Sequence, residues 1–498
     1  MNTNIKEELR KIVGAENVLS DPETLEQYSK DQSFARPCRP EYVVYVKNVE
    51  EVRKVIKLAN ERKIPVIPMS SGMNLRGATI PNHGGIILNL SKMNKILEVN
   101  DKEGWVLIEP GVTYSQLQDE IERRGLRVMI PFGIPPSRSV ISSIIEGDPS
   151  IAAASFEYGN ALYMDLEIVL PTGDIYRLGK WKVCTRGEWG IPGGGGIMGE
   201  KGAEEWLWEG AQGTLGIISK MVVKVEHLSD VRKVYFIPFD SLGKILEPLR
   251  RIQRKEIGLD CFILNNFNLA AIINEEWTLP EHFPCEQISS SKFDTLRRDL
   301  PKWVLIIHLS GLPYFPEEKI RYEETALKKT CEEYNVIPSL TVAGIEGLQD
   351  IFLKEILRPW SVLKKARFKG AFHDVAFYTN LSKVTELWDV VTDVAKQYSY
   401  DVNNIGAFIL PIERGRSCYC EFDFHRNPKD PEDSNKIRRL WLKANEAVME
   451  RGALLAKCYG PLNEIFWKKV DPIYVEKLRA LKYELDPNNI MNPGKLCF

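Results

Sequence analysis

Five short segments of this chain hold residue types that can grip an anion through the backbone. In Pro68-Met-Ser-Ser-Gly-Met-Asn74 a strand-like run ends in Ser70, Ser71 and Gly72, followed by Met73 and Asn74. With so little side chain in the way, successive N–H groups can converge on a diphosphate. Glu109-Pro-Gly-Val-Thr113 sits at a strand-to-helix turn, so Pro110, Gly111 and Val112 precede the first amides of a helix, which favour phosphate. Leu170-Pro-Thr-Gly-Asp174 reads as a hairpin turn and Gly213-Thr-Leu-Gly216 as a turn into a buried strand. The last segment is Asp486-Pro-Asn-Asn-Ile-Met-Asn-Pro-Gly-Lys495. Each is common alone; their order and spacing are not. A tetraglycine run, Gly193 to Gly196, is followed by neither a GK[ST] signature nor a helical pattern, and reads as a surface loop.

Other chemistries have less support. The nine cysteines are irregularly spaced and form no C-x-x-C pair, so iron–sulfur clusters and structural zinc are not expected. Cys418 and Cys420 would share a face of a strand as buried thiols. The six histidines are scattered, and no metal site is expected.

The elements that must position these turns follow from periodicity. Residues 2–20 carry Ile5, Leu9, Ile12 and Val13 at helical spacing. Tyr42–Val46, Ile64–Met69 and Gly85–Leu90 read as strands, with a helix over Asn48–Arg62 between the first two. Asn94–Val99 and Trp105–Glu109 read as a strand pair, Tyr114–Arg124 as a helix and Gly216–Val225 as a strand. Residues 230–440 change character. There, strands such as Lys233–Ile237, Cys261–Leu264 and Trp303–Leu309 alternate with helices such as Pro316–Asn335 and Leu381–Tyr398, which predicts a β-α-β repeat around a separate core. Amphipathic helices are expected over 436–451 and 472–485.

At roughly 150 residues per domain, 498 residues suggest two or three domains. A net charge of −2 points to neither nucleic acid nor an anionic membrane surface. The polar N-terminal stretch, the free thiols and the lack of an apolar run of ~20 residues predict a cytoplasmic protein without a membrane span.

In their order along the chain, these motifs resemble the FAD-linked oxidases of the vanillyl-alcohol oxidase and p-cresol methylhydroxylase type, which share a fold with glycolate oxidases and D-lactate dehydrogenases. The resemblance also rests on Ile86-Ile-Leu-Asn-Leu-Ser-Lys-Met-Asn-Lys-Ile96, Tyr158-Gly159, Glu167-Ile-Val-Leu-Pro-Thr-Gly-Asp174 and Gly213-Thr-Leu-Gly-Ile217. It implies an α+β fold. A two-part FAD-binding domain, residues 1–228 with a C-terminal return over 451–498, would enclose an inserted α/β cap over 229–450. Ser70 to Asn74 would wrap the diphosphate. Pro110 to Val112 and the stretch Pro136, Ser137 to Ser143 would line the adenine and ribitol side. Tyr158 and Gly159 would lie near the flavin, Gly213 and Ile217 would hold the adenosine end, and Asn492 and Lys495 would return to the flavin domain.

The resemblance also implies the reaction: FAD takes a hydride from a small organic substrate, an aromatic alcohol, alkylphenol or hydroxy acid. Electrons then pass to a partner such as a cytochrome, an Fe–S protein or an electron-transfer flavoprotein. The relatives suggest a homodimer or a subunit of a complex. The alternative is a non-catalytic flavoprotein or scaffold subunit.

Against the phenol-oxidising pattern, three positions differ. Asn160 follows Tyr158-Gly159 where a carboxylate is expected, and an amide is no base at neutral pH. Ala456-Lys457 stands where a Tyr-Arg pair is expected, and no tyrosine follows Gly72-Met-Asn74. Lys457 is therefore a candidate for stabilising reduced flavin or binding an acidic substrate, and Tyr459 for the pocket wall. Arg416, two residues from Arg414, is a candidate for forking a substrate carboxylate. His373 is a candidate for covalent flavin attachment. The clustered histidine metal site of the hydroxy-acid members has no counterpart pattern.

Overall fold

In a computed structural model of the protein, residues 2–73, 75–155, 162–178 and 207–498 are described. Asn74, Tyr158, Gly159, Asn160 and the tetraglycine run lie outside them.

The expected β-α-β unit forms near the N-terminus. Helix Val49–Arg62 starts where the Asn48 side chain accepts from the Glu51 amide, and stops where Lys63 turns left-handed at φ 53°. Its buried stripe, Val52, Val55, Ile56 and Ala59, is fully enclosed. A cap contributes about 1 kcal/mol, whereas each buried Val or Ile contributes about 1.5–3 kcal/mol, so packing holds this helix. Strands Tyr42–Tyr45 and Val66–Met69 flank Ile86–Asn89 in parallel, and Val18–Leu19 joins antiparallel at the edge. Met491 bridges to Val66 from far along the chain.

A second sheet, antiparallel throughout, runs in the order Ile96–Asn100, Trp105–Ile108, Ile217–Lys224, Tyr163–Val169, Ile175–Arg177. Its last two strands are joined by the expected hairpin at 170–174. Helix Tyr114–Glu122, capped by Thr113, packs Tyr114, Leu117 and Ile121 into a core shared with this sheet.

The middle of the chain folds into a seven-stranded sheet in the order Arg232–Phe239, Trp303–Ser310, Asp260–Asn265, Gly406–Ile412, Ser417–Arg426, Ala371–Thr379, Leu454–Leu455. Every pairing is antiparallel. The predicted β-α-β repeat is realised in split form. Arg232–Phe239 and Asp260–Asn265, joined through helix Leu246–Arg254, run parallel but leave room for Trp303–Ser310 between them. Ala371–Thr379 and Gly406–Ile412, joined through helix Val384–Gln397, do the same around Ser417–Arg426. Leu454–Leu455, which the sequence placed in the returning segment, pairs with this sheet. One sheet face packs on helices such as Pro431–Glu450, and the other on helices such as Asn266–Ile273.

A buried charge cluster joins the parts. Arg127, on the short strand Leu126–Arg127, donates to both Asp260 oxygens at 3.0 and 2.9 Å, and His308 Nδ1 lies 2.6 Å from the same carboxylate.

Candidate active site

Two cavities meet at Arg138, which lines both. The inner one, about 840 Å³, is framed mostly by turns. Ser70 and Gly72 line it from the end of strand Val66–Met69, Pro110 from the strand-to-helix turn, and Gly213 and Ile217 from the opposite wall. Hydrogen bonds lock these turns together. Ser71 Oγ accepts from the Ser139 amide at 3.0 Å, Ser139 Oγ donates to the Pro110 carbonyl at 2.7 Å, and the Val140 amide donates to the Val112 carbonyl. Two glycines are sterically required. A Cβ on Gly111 would sit 2.7 Å from the Met93 and Ser91 carbonyl oxygens, and one on Gly213, at φ +69°, would sit 2.3 Å from Pro68 Cγ.

The outer cavity, about 1030 Å³, lies between these turns and the seven-stranded sheet. Met73, Lys457, Tyr459 and His373 line it. Lys457 is buried and donates to Asp148 Oδ1 at 2.5 Å and to the Glu146 carbonyl at 2.9 Å. Arg138 pairs with Glu146 at 2.8 Å and Asp148 at 3.4 Å, and Tyr459 donates to Glu146 at 2.9 Å. Ser143 Oγ completes the group by donating to Asp148 at 2.8 Å. Burial opposes ionisation of Asp148, but Lys457, Arg138 and Arg76 outweigh it and hold the carboxyl well below the usual range. Burial, reinforced by Glu146 and Asp148, drives the Tyr459 phenol far up, so it stays protonated.

The sheet supplies the other wall. Phe408, Tyr419, Glu421, Asp374, Ala376 and Phe372 face the cavity from three adjacent strands, and Phe132 stacks on Phe408 at 4.6 Å. Arg76, from the loop beyond the serine-glycine turn, pairs with Asp374 at 2.7 Å. None of Arg76, Arg138, Glu421, Tyr419, Asp374 or Asp148 was singled out from sequence. Arg138 lay inside a stretch that was; the others have no local signature.

The structure relocates several expected residues. Arg416 stands exposed at the tip of the hairpin between Gly406–Ile412 and Ser417–Arg426, where Nη1 turns back to the Glu413 carbonyl at 3.4 Å, and it lines neither cavity. Glu413 and Arg414 both take positive φ, so the extended geometry that would aim these arginines inward is absent. His373 Nε2 accepts from Arg426 Nε at 2.8 Å while its ring stacks on Phe34 at 4.0 Å. Burial and the neighbouring Arg426 push its pKa down to about 3, so it is a neutral imidazole with one lone pair already taken. Pro136 and Ser137 face neither cavity. Asn492 and Lys495 act from behind. The amide of Asn492 donates to the Gln212 carbonyl at 2.7 Å, and Lys495 Nζ donates to the carbonyls of Gly77 and Ile80 at 3.0 and 2.7 Å.

The inner cavity suits a diphosphate-bearing dinucleotide on two observations. The backbone amides of Ser70, Ser71, Gly72 and Met73 donate to no described residue, and Gly72 is left-handed at φ 70°, the geometry of an anion-binding nest. Trp208 also lines the cavity, and its buried Nε1 donor has no partner among the described residues. Buried donors are seldom left unmet, so this indole N–H is fitted to a polar ligand edge.

Residues 40–179 match the family described as "FAD binding domain", and residues 463–496 match "FAD linked oxidases, C-terminal domain". The fold and the turns that line the inner cavity therefore define an FAD-linked oxidoreductase, with FAD as its cofactor. The 4-cresol dehydrogenase [hydroxylating] flavoprotein subunit of Pseudomonas putida is 34% identical over 98% of this chain and 94% of that protein. Glycolate oxidase subunit GlcD of Bacillus subtilis is 23% identical over 99% of this chain and 96% of its own length. A solved p-cresol methylhydroxylase with substrate bound superposes with a TM-score of 0.82 at 20% identity, over 100% of this chain and 96% of that one. The chain belongs to the vanillyl-alcohol oxidase and p-cresol methylhydroxylase family of FAD-linked oxidoreductases.

Proposed function

We propose that the chain oxidises a small, neutral substrate with an aromatic body, an aromatic alcohol or alkylphenol, and passes the electrons to a partner protein. One observation carries this reading: the outer cavity is charge-balanced. Its three cations, Arg76, Arg138 and Lys457, are paired with Asp374, Glu146 and Asp148, while Phe34, Phe132, Phe372 and Phe408 supply apolar ring faces. A substrate carboxylate would have to compete with carboxylates already in place, whereas a neutral ring gains from burial against aromatic walls.

When bound, FAD supplies the hydride acceptor; the protein supplies position and electrostatics. Ser70 to Met73 would hold the diphosphate and Trp208 a polar edge of the dinucleotide. The Lys457–Asp148–Arg138 cluster sits where the two cavities meet and would present fixed positive charge to the flavin side. Tyr459 stays protonated and can donate. The name of the Pseudomonas relative, a flavoprotein subunit, supports a partner protein as acceptor; a cytochrome, an Fe–S protein or an electron-transfer flavoprotein fits that role.

The second reading is a 2-hydroxy acid, favoured by relatives named glycolate oxidase subunit GlcD and D-lactate dehydrogenase. Anaerobic bleaching of the flavin bands decides between the two. Aryl alcohols or alkylphenols are expected to reduce the protein, and 2-hydroxy acids are not. Reduction by 2-hydroxy acids alone overturns the aromatic assignment.

A further inference from the structure

Behind the cavity wall lies a buried group of ionisable residues with no place in cofactor binding. On strand Ser417–Arg426, the side chains of Tyr419, Glu421, Asp423 and His425 share one sheet face. The neighbouring strand sets Asp374 directly opposite Asp423 and Ala376 opposite Glu421. Two carboxylates directly opposite on one face of an antiparallel pair lie about 4.5–5.5 Å apart at Cβ and repel each other when both are ionised. The sequence resolves this by giving each a different partner. Asp374 takes Arg76 from the flavin side. Asp423 takes Lys365, from the 3-10 helix Ser361–Phe368, at 2.7 Å, and the same ammonium reaches Glu421 at 3.2 Å. Lys365 thus bridges a carboxylate on the cavity wall and one behind it.

On the far side of Asp423 stands Gly406, which takes the place opposite it on the other neighbouring strand. A Cβ there would lie 2.5 Å from Asn268 Oδ1 and 2.8 Å from Asp423 Oδ2. Asp423 Oδ1, both polar atoms of Asn268 and both ring nitrogens of His425 are buried and unpartnered among the described residues. Such a concentration of unmet polar atoms is unusual. It marks a polar chamber in the protein interior, closed off behind Glu421.

We propose that Glu421, Lys365 and Asp423 form a proton relay that takes the substrate's hydroxyl proton out of the cavity and stores it on Asp423. The proposal rests on the reading of the outer cavity as the oxidation site. The balance is simple. The substrate carbon gives up hydride to the bound flavin while its O–H bond breaks, and that proton joins the Glu421 carboxylate. Glu421 then passes a proton to Lys365 as Lys365 passes one of its own to Asp423. This restores the Glu421 carboxylate and the ammonium and leaves Asp423 as a neutral acid. Glu421 is catalytic in this scheme; Lys365 and Asp423 act through it. Tyr419, whose hydroxyl donates to Glu421 at 3.0 Å, orients the receiving carboxylate.

The charges around Asp423 agree. Burial raises its pKa, Lys365 lowers it, and Glu421 and Asp374 raise it again, for a net value of about 7. The Gly406 strand brings no charge, the Asn266–Ile273 helix brings neutral Asn268, and His425 and Tyr400 flank it on the inner side. His425 is held neutral, chiefly by burial. Above about pH 7, Asp423 is free to accept; below it, the store is full.

The test uses flavin-loaded protein and two readouts. In the wild type, anaerobic reduction by a panel substrate is expected to rise with pH through a step near 7. Asp423→Asn is expected to remove that step while flavin content and melting temperature hold, and Glu421→Gln to slow reduction about 100-fold at every pH. Infrared titration of substrate-free protein is expected to show a protonated carboxyl disappearing near pH 7 in the wild type and missing in Asp423→Asn. A step that survives Asp423→Asn overturns the relay, and so does a wild type with no carboxyl titrating in that range. If no panel compound reduces the wild type, the substrate reading fails instead, and the infrared titration still decides whether Asp423 is the store.

Discussion

The two cavities are built from different materials. The inner one is framed largely by backbone and small side chains, and its shape depends on where glycines and serines fall at the ends of strands. The outer one is walled by ionisable and aromatic side chains delivered by strands and loops far apart in the chain. Lys457 meets Asp148 across 309 positions, and Arg76 meets Asp374 across 298. A cavity framed by turns tolerates little change in residue size. One walled by paired charges tolerates size but not the loss of a partner.

Three substitutions press on that difference. Lys457→Met leaves Asp148 buried beside Arg138 with one cation gone, and breaking a buried pair this way lowers stability by about 3–5 kcal/mol, measured by denaturant unfolding. The same pair sets a pH dependence. Because the Asp148 carboxyl is held low, its contribution is complete above the ordinary aspartate range and is lost as pH falls toward its depressed value. The acid limb of the melting curve should therefore flatten in Lys457→Met. Gly213→Ala comes second. Its methyl group would meet Pro68 at a left-handed position; strain of this kind costs about 1–3 kcal/mol, and the purified protein should carry less flavin by absorbance. If Gly213→Ala keeps its full flavin complement, the turn-framed account of the inner cavity is wrong. Arg416→Ala, at an exposed hairpin tip, should change stability by no more than about 0.5 kcal/mol and leave anaerobic flavin reduction unaltered. A marked slowing there would return Arg416 to the substrate site.

The inner cavity was legible in the sequence because its turns are contiguous and local. A strand that ends in Ser-Ser-Gly states its own geometry. Arg138 and Trp208 were missed because their roles depend on which cavity they face. On the outer side, the family resemblance located Lys457 and Tyr459 but not their partners. Glu421, Asp423 and Asp374 gain their meaning from strand register, and nothing in Ala371–Thr379 read alone says that Asp374 will face Asp423. Arg416 misled because two residues in extended chain share a face, whereas Glu413 and Arg414 here have positive φ and reverse the chain. The alternation of strands and helices in the middle segment was readable, but the third strand inserted into each unit was not.

The contacts made by Met491 and Lys495 have a consequence for how the protein is made. Strand Val66–Met69 finds its outer neighbour at Met491, and the loop at Gly77 and Ile80 hangs on the ammonium of Lys495, 418 and 415 positions away. Contacts this distant in the chain form late and slowly. The part of the flavin domain synthesised first must therefore wait, with its edge strand unpaired, for residues synthesised after the whole seven-stranded sheet. During that interval it is a natural client for a chaperone, and FAD capture becomes a late, post-translational event.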